Sequence, residues 1–476
     1  MSKSPSASKL KIPHFRWWII TLVFLAAVLN YVDRQVLSAL APTIQKDLGM
    51  TDRDYANIVN IFLVAYTIAY LISGKLVDML GTRVGMVAFV AWWSVANMLT
   101  AAAQGVRSMG AFRFGLGLGE AGVWPAASKA VSEWFPARER ALAIGIYTMG
   151  ATIGATVAPY IVIPLAAFPY AEKLPFLADL LGHGTGWRMA FLITGALGLL
   201  WLIPWLWFYR QPRESRFVTA AEQKLLDDSA AAEAKAGGVT EGKAWSWKQV
   251  FTSKVVWLLL LGRLITDPVW YFYQFWFPKY LNSERGVAQE GLTITWIVYA
   301  AAGAGSLLGG WLSGVLVNRG VLPAKSRLWV MLGCACLLPV SPFIASVTGV
   351  NLAMTLTIVA VFASLAWLIN ISSLVVDVVP KACLGTVFSV VAAGSTVGGI
   401  LMNTLVASMV SSGPLTKPAG FLDQAVHAIA GPVLDAVHGA GYHQWFLIMA
   451  CLHPLAWLML YFGGVHRSKA PAPAAA

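Results

Sequence analysis

The segment Met149–Ala155 (MGATIGA) has a counterpart at Ala393–Gly399 (AGSTVGG), and both lie in long apolar runs. The dipeptides Phe135-Pro136 and Val379-Pro380 precede the two segments at the same distance. The chain therefore contains two related halves. A parallel repeat of six helices predicts two bundles related by an axis along the membrane normal, with a substrate site between them near the midplane. This is the architecture of an alternating-access carrier.

The composition around the repeat excludes a water-soluble fold. Of the 476 residues, 58% are hydrophobic and only 12% are charged, which is more apolar surface than one aqueous core can bury. The net charge of +12 does not indicate nucleic acid, because Lys and Arg collect in loops on one side of a membrane protein. The four cysteines have no metal-ligand spacing. We therefore predict no metal, no cofactor and no nucleic-acid partner.

Twelve apolar runs are long enough to cross a lipid bilayer, for which about 20 residues are needed. The first six are Trp17–Ala41, Tyr55–Val77, Val84–Ala103, Gly110–Val131, Ala141–Ala167 and Met189–Phe208. The second six are Val255–Tyr280, Leu292–Val317, Leu328–Val347, Leu352–Val379, Leu384–Val410 and Trp445–Phe462. The predicted fold class is an all-α polytopic membrane protein with twelve transmembrane helices in two six-helix bundles.

The distribution of charge gives the predicted domains and their orientation. The domains are an N-terminal tail (1–16), an N-terminal bundle (17–209), a linker (210–254), a C-terminal bundle (255–463) that includes a loop (411–443), and a C-terminal tail (464–476). Lys and Arg are concentrated in the tails, the linker and alternate loops, which predicts that both termini are cytoplasmic. The 411–443 loop is then extracytoplasmic.

Charged residues inside apolar runs are costly unless each faces a partner or a polar cavity. Asp33 and Arg34 lie in the first predicted helix, while Arg113 and Glu120, seven positions apart in the fourth, share a helix face. A structural network of mutually neutralising charges is one interpretation. The other is proton-coupled anion transport, because arginines bind carboxylates and buried carboxylates can carry protons.

The segment Gly74–Arg83 (GKLVDMLGTR) resembles the signature loop between the second and third helices of the major facilitator superfamily. Its glycines allow a tight turn, and Asp78 can accept hydrogen bonds from a helix N-terminus and from arginines. The copy in the second half has Gly314 in place of Asp78, so this latch is asymmetric. We predict Asp78, Arg83 and Arg140 as gate residues.

Three further segments resemble the anion:cation symporter family of that superfamily. They are Asn30–Arg34 (NYVDR), Arg113–Gly122 (RFGLGLGEAG) and Asp267–Leu281 (DPVWYFYQFWFPKYL). The third is similar to the seventh helix of hexuronate transporters, which carry galacturonate and glucuronate. The resemblance spans nearly the whole chain. It implies the major facilitator fold and proton-coupled import of a hexuronate across the bacterial inner membrane by a monomer embedded in lipid.

The resemblance also implies roles for individual residues. Asp33 and Glu120 would be the proton-coupling pair. The substrate-binding residues of the first half would be Tyr31, Arg34, Tyr66 and Arg113, and those of the second half Asn370, Ser372 and Ser373. A departure from the family pattern occurs at Ser395, where relatives often have asparagine, and it leaves the identity of the substrate open. We include Ser395 among the candidate substrate-binding residues.

The seventh predicted helix has side chains suited to a sugar acid. Trp270 and Tyr271 can stack on a sugar face, and Gln274 can form hydrogen bonds with hydroxyl groups. Arg263 and Asp267 are four positions apart, which predicts an intrahelical ion pair.

Other functions remain open at this point. The substrate of the symporter can be another organic anion, such as an aldonate (galactonate, for example) or a small carboxylate. A transport-dead membrane sensor of such an anion is a further alternative, although the linker is too short for a signalling domain. An enzyme ranks last, because no nucleophile and base pair or metal-ligand set lies at membrane depth.

Overall fold

The chain is helical through nearly all of the part that the computed structural model describes, residues 11–173, 175–176, 186–235, 247–379, 384–411 and 421–467. The first half contains α1 (Phe15–Ala39), α2 (Ala41–Leu48), α3 (Asp52–Thr100), α4 (Val106–Glu120), α5 (Val123–Trp134), α6 (Ala137–Ala166), α7 (Tyr170–Lys173) and α8 (Trp187–Phe208). The linker contains a 3₁₀ turn (Pro212–Glu214), α9 (Ala220–Lys235) and α10 (Trp247–Thr252).

The second half repeats this plan with another series of long helices. It contains α11 (Lys254–Phe275), α12 (Phe277–Arg285), a 3₁₀ segment (Gln289–Thr295), α13 (Trp296–Asn318), α14 (Pro323–Leu337), α15 (Ser341–Ser346), α16 (Val350–Val378), α17 (Leu384–Val410), α18 (Phe421–Ala436) and α19 (Gly441–Gly463). The remaining 3₁₀ turns are Leu338–Val340 and Val465–Arg467.

Within the described ranges, ten helical segments are long and apolar enough to cross a membrane, and they match ten of the twelve predicted spans. The second and third predicted spans form one element, α3, which breaks at Gly81 with φ 76° and ψ 157°. A positive φ of this size favours glycine. The fourth predicted span is divided into α4 and α5 at Ala121 and Gly122. Pro125 explains this break, because its ring would clash with the carbonyl of Ala121 in a continuous helix.

The repeated glycine segment packs α6 closely against α1 in the first half. A Cβ atom at Gly150 would lie 2.6 Å from the carbonyl oxygen of Phe24, and one at Gly154 would lie 2.4 Å from that of Val28. These distances leave no room for a side chain. The glycines therefore let the two helix backbones touch.

The second half contains the same contact between α17 and α11. A Cβ atom at Gly394 would lie 2.6 Å from the carbonyl oxygen of Leu260, and one at Gly398 would lie 2.4 Å from that of Leu264. The sequence repeat is therefore also a repeat of helix packing. Leu260 and Leu264 follow Phe24 and Val28 by 236 positions in each case.

The linker helix α9 fixes the beginning of α1. The carboxylate of Glu222 accepts hydrogen bonds from the backbone N–H groups of Phe15 at 2.9 Å and Arg16 at 3.1 Å. It also pairs with Nη1 of Arg16 at 2.9 Å. The first N–H groups of a helix lack intrahelical partners, so this carboxylate caps α1 from a distant part of the chain.

The two halves meet through polar contacts at the end of the molecule where α1 ends and α3 begins, which we call the closed end. Tyr299 donates to Oε1 of Gln35 at 2.5 Å. Asn60 donates to Thr404 at 3.0 Å and accepts from Asn403 at 2.9 Å. Further contacts between the halves join Ala39 and Thr43 to Gln289, Asp52 to Lys279, and Tyr55 to Phe275.

Candidate functional site

Arg34, near the end of α1, and Glu120, the last residue of α4, form a buried ion pair. Nε and Nη2 of Arg34 donate to the same oxygen, Oε2 of Glu120, at 2.9 Å and 2.6 Å. The Glu120 side chain is fully buried, and that of Arg34 is 10% exposed. Oε1 of Glu120 is buried and has no hydrogen-bond partner among the described residues. Glu120 can therefore accept one more hydrogen bond at this oxygen.

Aromatic rings surround the guanidinium of Arg34. Its central carbon lies 4.7 Å from the ring centre of Tyr31, 4.8 Å from that of Tyr66 and 5.4 Å from that of Phe62. Trp124 donates from its indole N–H to the Tyr66 hydroxyl at 2.9 Å. Tyr31, Tyr66 and Trp124 are each partly exposed. Cation–π contacts hold the charge in place, and the partly exposed rings offer surfaces on which a sugar ring can stack.

Arg113 is a second buried arginine beside this pair. It is 1% exposed, and its central carbon lies 5.0 Å from the ring centre of Phe62. Its Nε and Nη1 atoms have no partner in the described part of the chain. Arg113 is within electrostatic range of both Glu120 and Asp33. Its positive charge therefore attracts both carboxylates. Its Nε and Nη1 groups can still donate to an anion.

Asp33 faces a different set of helices from its neighbour Arg34. Its Oδ1 accepts from the Asn97 amide at 2.7 Å, and its Oδ2 accepts from the Trp93 indole at 3.2 Å. The same Asn97 amide nitrogen donates to Thr194 of α8 at 2.9 Å. Successive residues of a helix are separated by about 100°. Asp33 therefore faces α3 and α8, while Arg34 faces α4. The four charges do not form one continuous chain of ion pairs.

The second half contributes aromatic and amide groups from α11. Trp270 lies edge-on to Tyr299 with ring centres 6.0 Å apart, and Tyr299 in turn bonds Gln35, the residue after Arg34. Tyr271 interacts with Ser395 and lies within electrostatic range of Arg34. Gln274 is 3% exposed, and its Oε1 lacks a partner among the described residues. Side chains of α11 and α17 therefore face the Arg34 region.

The predicted binding residues of α16 differ in their surroundings. Asn370 is buried, and its amide donates to the carbonyls of Gly309 and Ala366, so only Oδ1 remains without a described partner. Ser373 donates to the carbonyl of Ile369 in its own helix at 2.8 Å. Ser372 accepts a hydrogen bond from Arg263 at 3.1 Å. Of the three, Ser372 is connected to a charged group.

Arg83, one of the three predicted gate residues, lies two positions after the Gly81 break in α3. Nη2 of Arg83 donates to the carbonyl of Leu206 at 2.6 Å, which ties the loop to the end of α8. Beside it, Glu133 accepts from Thr82 at 2.7 Å and from the Tyr209 hydroxyl at 2.6 Å. The side chains of Asp78 and Arg140 lie outside the described residues.

Several residues at the site were not found by sequence reasoning. They are Trp93, Asn97 and Thr194 around Asp33, Trp124 beside Tyr66, and Gln35 and Tyr299 between the halves. Asn97 offered a signal, because an amide in the middle of an apolar run is costly without a partner. The indole and phenol groups offered none, since tryptophan and tyrosine are common in apolar helices.

Comparisons with known proteins agree on one family. The model for the Major Facilitator Superfamily matches residues 23–402. The chain is 33% identical over 303 residues to a galacturonate transporter of Dickeya chrysanthemi, covering 63% of this chain and 82% of the relative. It is 28% identical over 445 residues to a D-galactonate transporter of Escherichia coli O6:H1, covering 89% and 94%. A bacterial homolog of the human lysosomal transporter Spinster, solved in an inward-facing and occupied conformation, superposes with a TM-score of 0.73 at 21% identity, covering 97% of this chain and 99% of that one.

Proposed function

The chain belongs to the Major Facilitator Superfamily, and from this premise we propose that it is a proton-coupled symporter of a sugar acid, most directly a hexuronate such as galacturonate or glucuronate. It is a multi-pass membrane transporter and not an enzyme. The relative named for galacturonate supports a uronate substrate. The buried charges of the first bundle support coupling to protons.

The observation that carries the proposal is the shared oxygen of the Arg34–Glu120 pair. Both donors of Arg34 go to Oε2, while Oε1 is buried without a described partner. A proton on Glu120 removes the negative charge that holds Arg34. The guanidinium then becomes available to the carboxylate of a sugar acid, which can replace Glu120 as its counter-ion. Proton binding and substrate binding are thereby coupled at one residue.

The formal charges of the site fit a monoanion and protons. Arg34 and Arg113 carry two positive charges, and Asp33 and Glu120 carry two negative charges when both are ionised. The empty site is then neutral, and each proton taken up adds one positive charge. A uronate with one proton leaves the site neutral again. This matters because a buried uncompensated charge is costly.

Asp33 lies where both of its protonation states can be hydrogen-bonded. In the ionised state its oxygens accept from Asn97 and Trp93. Oδ1 of Asn97 is buried without a partner in the described ranges. Rotation of the Asn97 amide brings this acceptor to Asp33, so that a protonated carboxyl can donate to it. A group that is hydrogen-bonded in both states is suited to take up and release a proton.

The membrane potential gives a reason for coupling. Entry of a monoanion against an inside-negative potential costs about 2.3 kcal/mol per 100 mV. One proton moved with the anion makes the step electroneutral, and the pH gradient then drives uptake. A second proton recruits the potential as well. The two carboxylates Asp33 and Glu120 can support either stoichiometry.

We also propose an orientation and a cycle. With both termini in the cytoplasm, as the distribution of Lys and Arg predicts, the closed end faces the outside. Opening of the closed end requires loss of the bonds that Gln35 and Asn60 make to the other half. Asp78, Arg83 and Arg140 are the proposed gate residues at the opposite end. Substrate and proton must bind one of the two states more tightly to drive the exchange.

The remaining binding contacts are proposed from the faces of the two halves. Tyr31 and Tyr66 would stack on the sugar ring beside Arg34, with Arg113 contributing charge. Trp270, Tyr271, Gln274 and Ser395 of the second half would contact the ring from the opposite side. Asn370 and Ser373 would influence the substrate indirectly, by positioning α16. Their amide and hydroxyl groups donate to backbone carbonyls.

An aldonate is the second candidate substrate. The D-galactonate transporter matches 89% of this chain, a larger share than the 63% matched by the galacturonate transporter. Both substrates have one carboxylate and several hydroxyl groups. Arg34 therefore serves either one, and the difference would lie in how the rest of the site accommodates a ring or an open chain.

Uptake into proteoliposomes tests the proposal. We expect an inward proton gradient to drive accumulation of labelled galacturonate, and excess galacturonate to compete better than galactonate. Uptake that prefers galactonate would retain the symport mechanism and change the substrate. Absence of flux with every sugar acid, in protein that still binds galacturonate, would contradict transport and favour a sensor.

A further inference from the structure

A second charged pair lies in the second half and is not used in the mechanism above. Nε of Arg263 pairs with Oδ2 of Asp267 at 2.6 Å, one helical turn apart. Nη1 of Arg263 donates to Ser372 of α16 at 3.1 Å. The side chains of Arg263 and Asp267 are 12% and 4% exposed. We call Arg263, Asp267 and Ser372 the second pole.

The second pole faces the first bundle. Tyr271 is within electrostatic range of Asp267 and Arg263 on its own helix and of Arg34 on the other half. Positions 263, 267, 270, 271 and 274 fall within about 100° of one another on a helix with 3.6 residues per turn. The charged pair therefore shares the face of α11 that carries Trp270, Tyr271 and Gln274.

The packing repeat gives the depth of the second pole. Equivalent residues of a parallel repeat lie at equal depth, and the shift of 236 positions between α1 and α11 places Trp270 level with Arg34 and Asp267 level with Tyr31. Asp267 is thus about 5 Å, and Arg263 about 10 Å, from the Arg34 level along the helix axis. Both lie on the side away from the closed end. A sugar acid held at Arg34 by its carboxylate can extend toward them.

We propose that the second pole binds the hydroxyl end of the substrate and selects sugar acids with one carboxylate over those with a carboxylate at each end. The inference rests on the proposed sugar-acid transport. A guanidinium has five N–H groups, and the described contacts use two of them, one on Nε and one on Nη1. A carboxylate supplies acceptors. A hydroxyl group both donates and accepts, so it can bind a donor and an acceptor that lie side by side.

Charge explains the selectivity. The second pole is formally neutral, because Asp267 cancels the charge of Arg263. A second carboxylate on the substrate would lie beside the like charge of Asp267, and its attraction to Arg263 is already balanced. Exclusion of the dianion follows from Asp267 rather than from shape. Removal of Asp267 alone would leave Arg263 as a free cation that attracts such a dianion.

The experiment compares two competitors in proteoliposome counterflow of labelled galacturonate. Unlabelled galacturonate has one carboxylate, and unlabelled galactarate has the same chain with a carboxylate at each end. In the unaltered protein we expect galactarate to be the weaker competitor by about tenfold or more, since like-charge contacts are costly. Equal potency of the two would overturn the proposal. Absence of galacturonate counterflow would overturn the proposed function itself, and this inference with it.

Two variants then test the residues. Asp267→Asn should improve galactarate relative to galacturonate by about tenfold, because Arg263 loses its counter-charge. Arg263→Gln combined with Asp267→Asn carries no buried unpaired charge, so it also serves if the single variant does not fold. In this double variant, the potency of galactarate relative to galacturonate should lie between the values for the unaltered protein and for Asp267→Asn. A purely structural pair would weaken both competitors equally, and an unchanged ratio in a folded variant would contradict the proposal.

Asp377→Asn is the matched control. Asp377 pairs with Arg327 at 3.2 Å in the same half of the chain but near the end of α16. The same chemical change there should leave the ratio of the two competitors as it is in the unaltered protein. A shift in this control equal to that of Asp267→Asn would show that the ratio reports general damage, and would overturn the assignment.

Discussion

Arg34 donates two hydrogen bonds, at 2.9 Å and 2.6 Å, to one oxygen of Glu120, and the other oxygen of that carboxylate is buried without a partner among the described residues. Oε2 of Glu120 is therefore held by two hydrogen bonds, while Oε1 is unsatisfied in the described part of the chain. A proton on Glu120 and an anion at Arg34 each complete one half of the ion pair. In the proposed mechanism, protonation of Glu120 therefore favours binding of the anion at Arg34.

Arg34→Lys should weaken galacturonate binding by about tenfold or more, because a lysine cannot reproduce the planar fork that binds a carboxylate through two bonds. The positive charge opposite Glu120 is kept, so the fold should survive. The measurement is the rise in unfolding temperature of the detergent-solubilised protein with increasing galacturonate. Arg213→Lys, at an exposed linker position, is the matched control. A variant that binds as well as the unaltered protein would contradict the role of Arg34.

Gly154→Ala should destabilise the first bundle by about 1–3 kcal/mol through overpacking. The added methyl would lie 2.4 Å from the carbonyl oxygen of Val28. Gly398→Ala should have the same effect against Leu264. Gly310→Ala is the control, since no atom lies within 4 Å of a Cβ there. Unfolding temperatures in one detergent compare the three, and equal values would contradict the proposed helix contacts.

The fold was largely predictable because the internal repeat can be recognised in the sequence. The glycine segments at Gly150 and Gly394 and the apolar runs around them predicted two related halves, and the structure has the same close packing in each. The break at Gly81 falls in the loop predicted between the second and third spans, whereas the division of the fourth span at Ala121 and Gly122 was not predicted. Hydrophobicity does not report it, because the effect of Pro125 is a backbone clash rather than a change in composition.

The site was predictable only in part. Arg34 and Glu120 could be identified because charges in apolar helices are costly and therefore rare. Their partners could not, because the neighbours of a helix face depend on how helices pack in three dimensions. Asp33 is next to Arg34 in sequence and yet bonds Trp93 and Asn97 inside the bundle. An ion pair within one helix, such as Arg263–Asp267, is the exception, since its spacing alone places the two groups together.

Crosslinking at the closed end should stop transport. The Asn60 amide donates to Thr404 of the other half at 3.0 Å, and this contact must open in an alternating-access cycle. Cysteines at these two positions, in a background without the four native cysteines, should react with a short bifunctional reagent and lose galacturonate uptake. The control pair is Asp47 and Trp187, which are bonded at 2.8 Å within one half. Continued uptake after crosslinking of positions 60 and 404 would contradict the proposed motion.

Glu222→Gln should lower the stability of the first bundle by on the order of 2 kcal/mol, because buried donors at the start of α1 lose a charged acceptor. Glu222 is 4% exposed and receives bonds from Phe15 and Arg16. Asp227→Asn in the same linker helix is the control. Asp227 pairs with Arg213 on the surface, so its replacement should leave the unfolding temperature unchanged. An equal effect of the two substitutions would argue against a specific cap.

The central claim is that Asp33 carries a proton that drives accumulation, and Asp33→Asn in proteoliposomes tests it most directly. An amide can keep hydrogen bonds with Trp93 and Asn97 but cannot take up a proton in the physiological range. We expect the variant to retain counterflow exchange of galacturonate and to lose accumulation driven by an inward proton gradient, while Asp227→Asn retains both. Proton-driven accumulation by the Asp33 variant at the level of the unaltered protein would contradict the account.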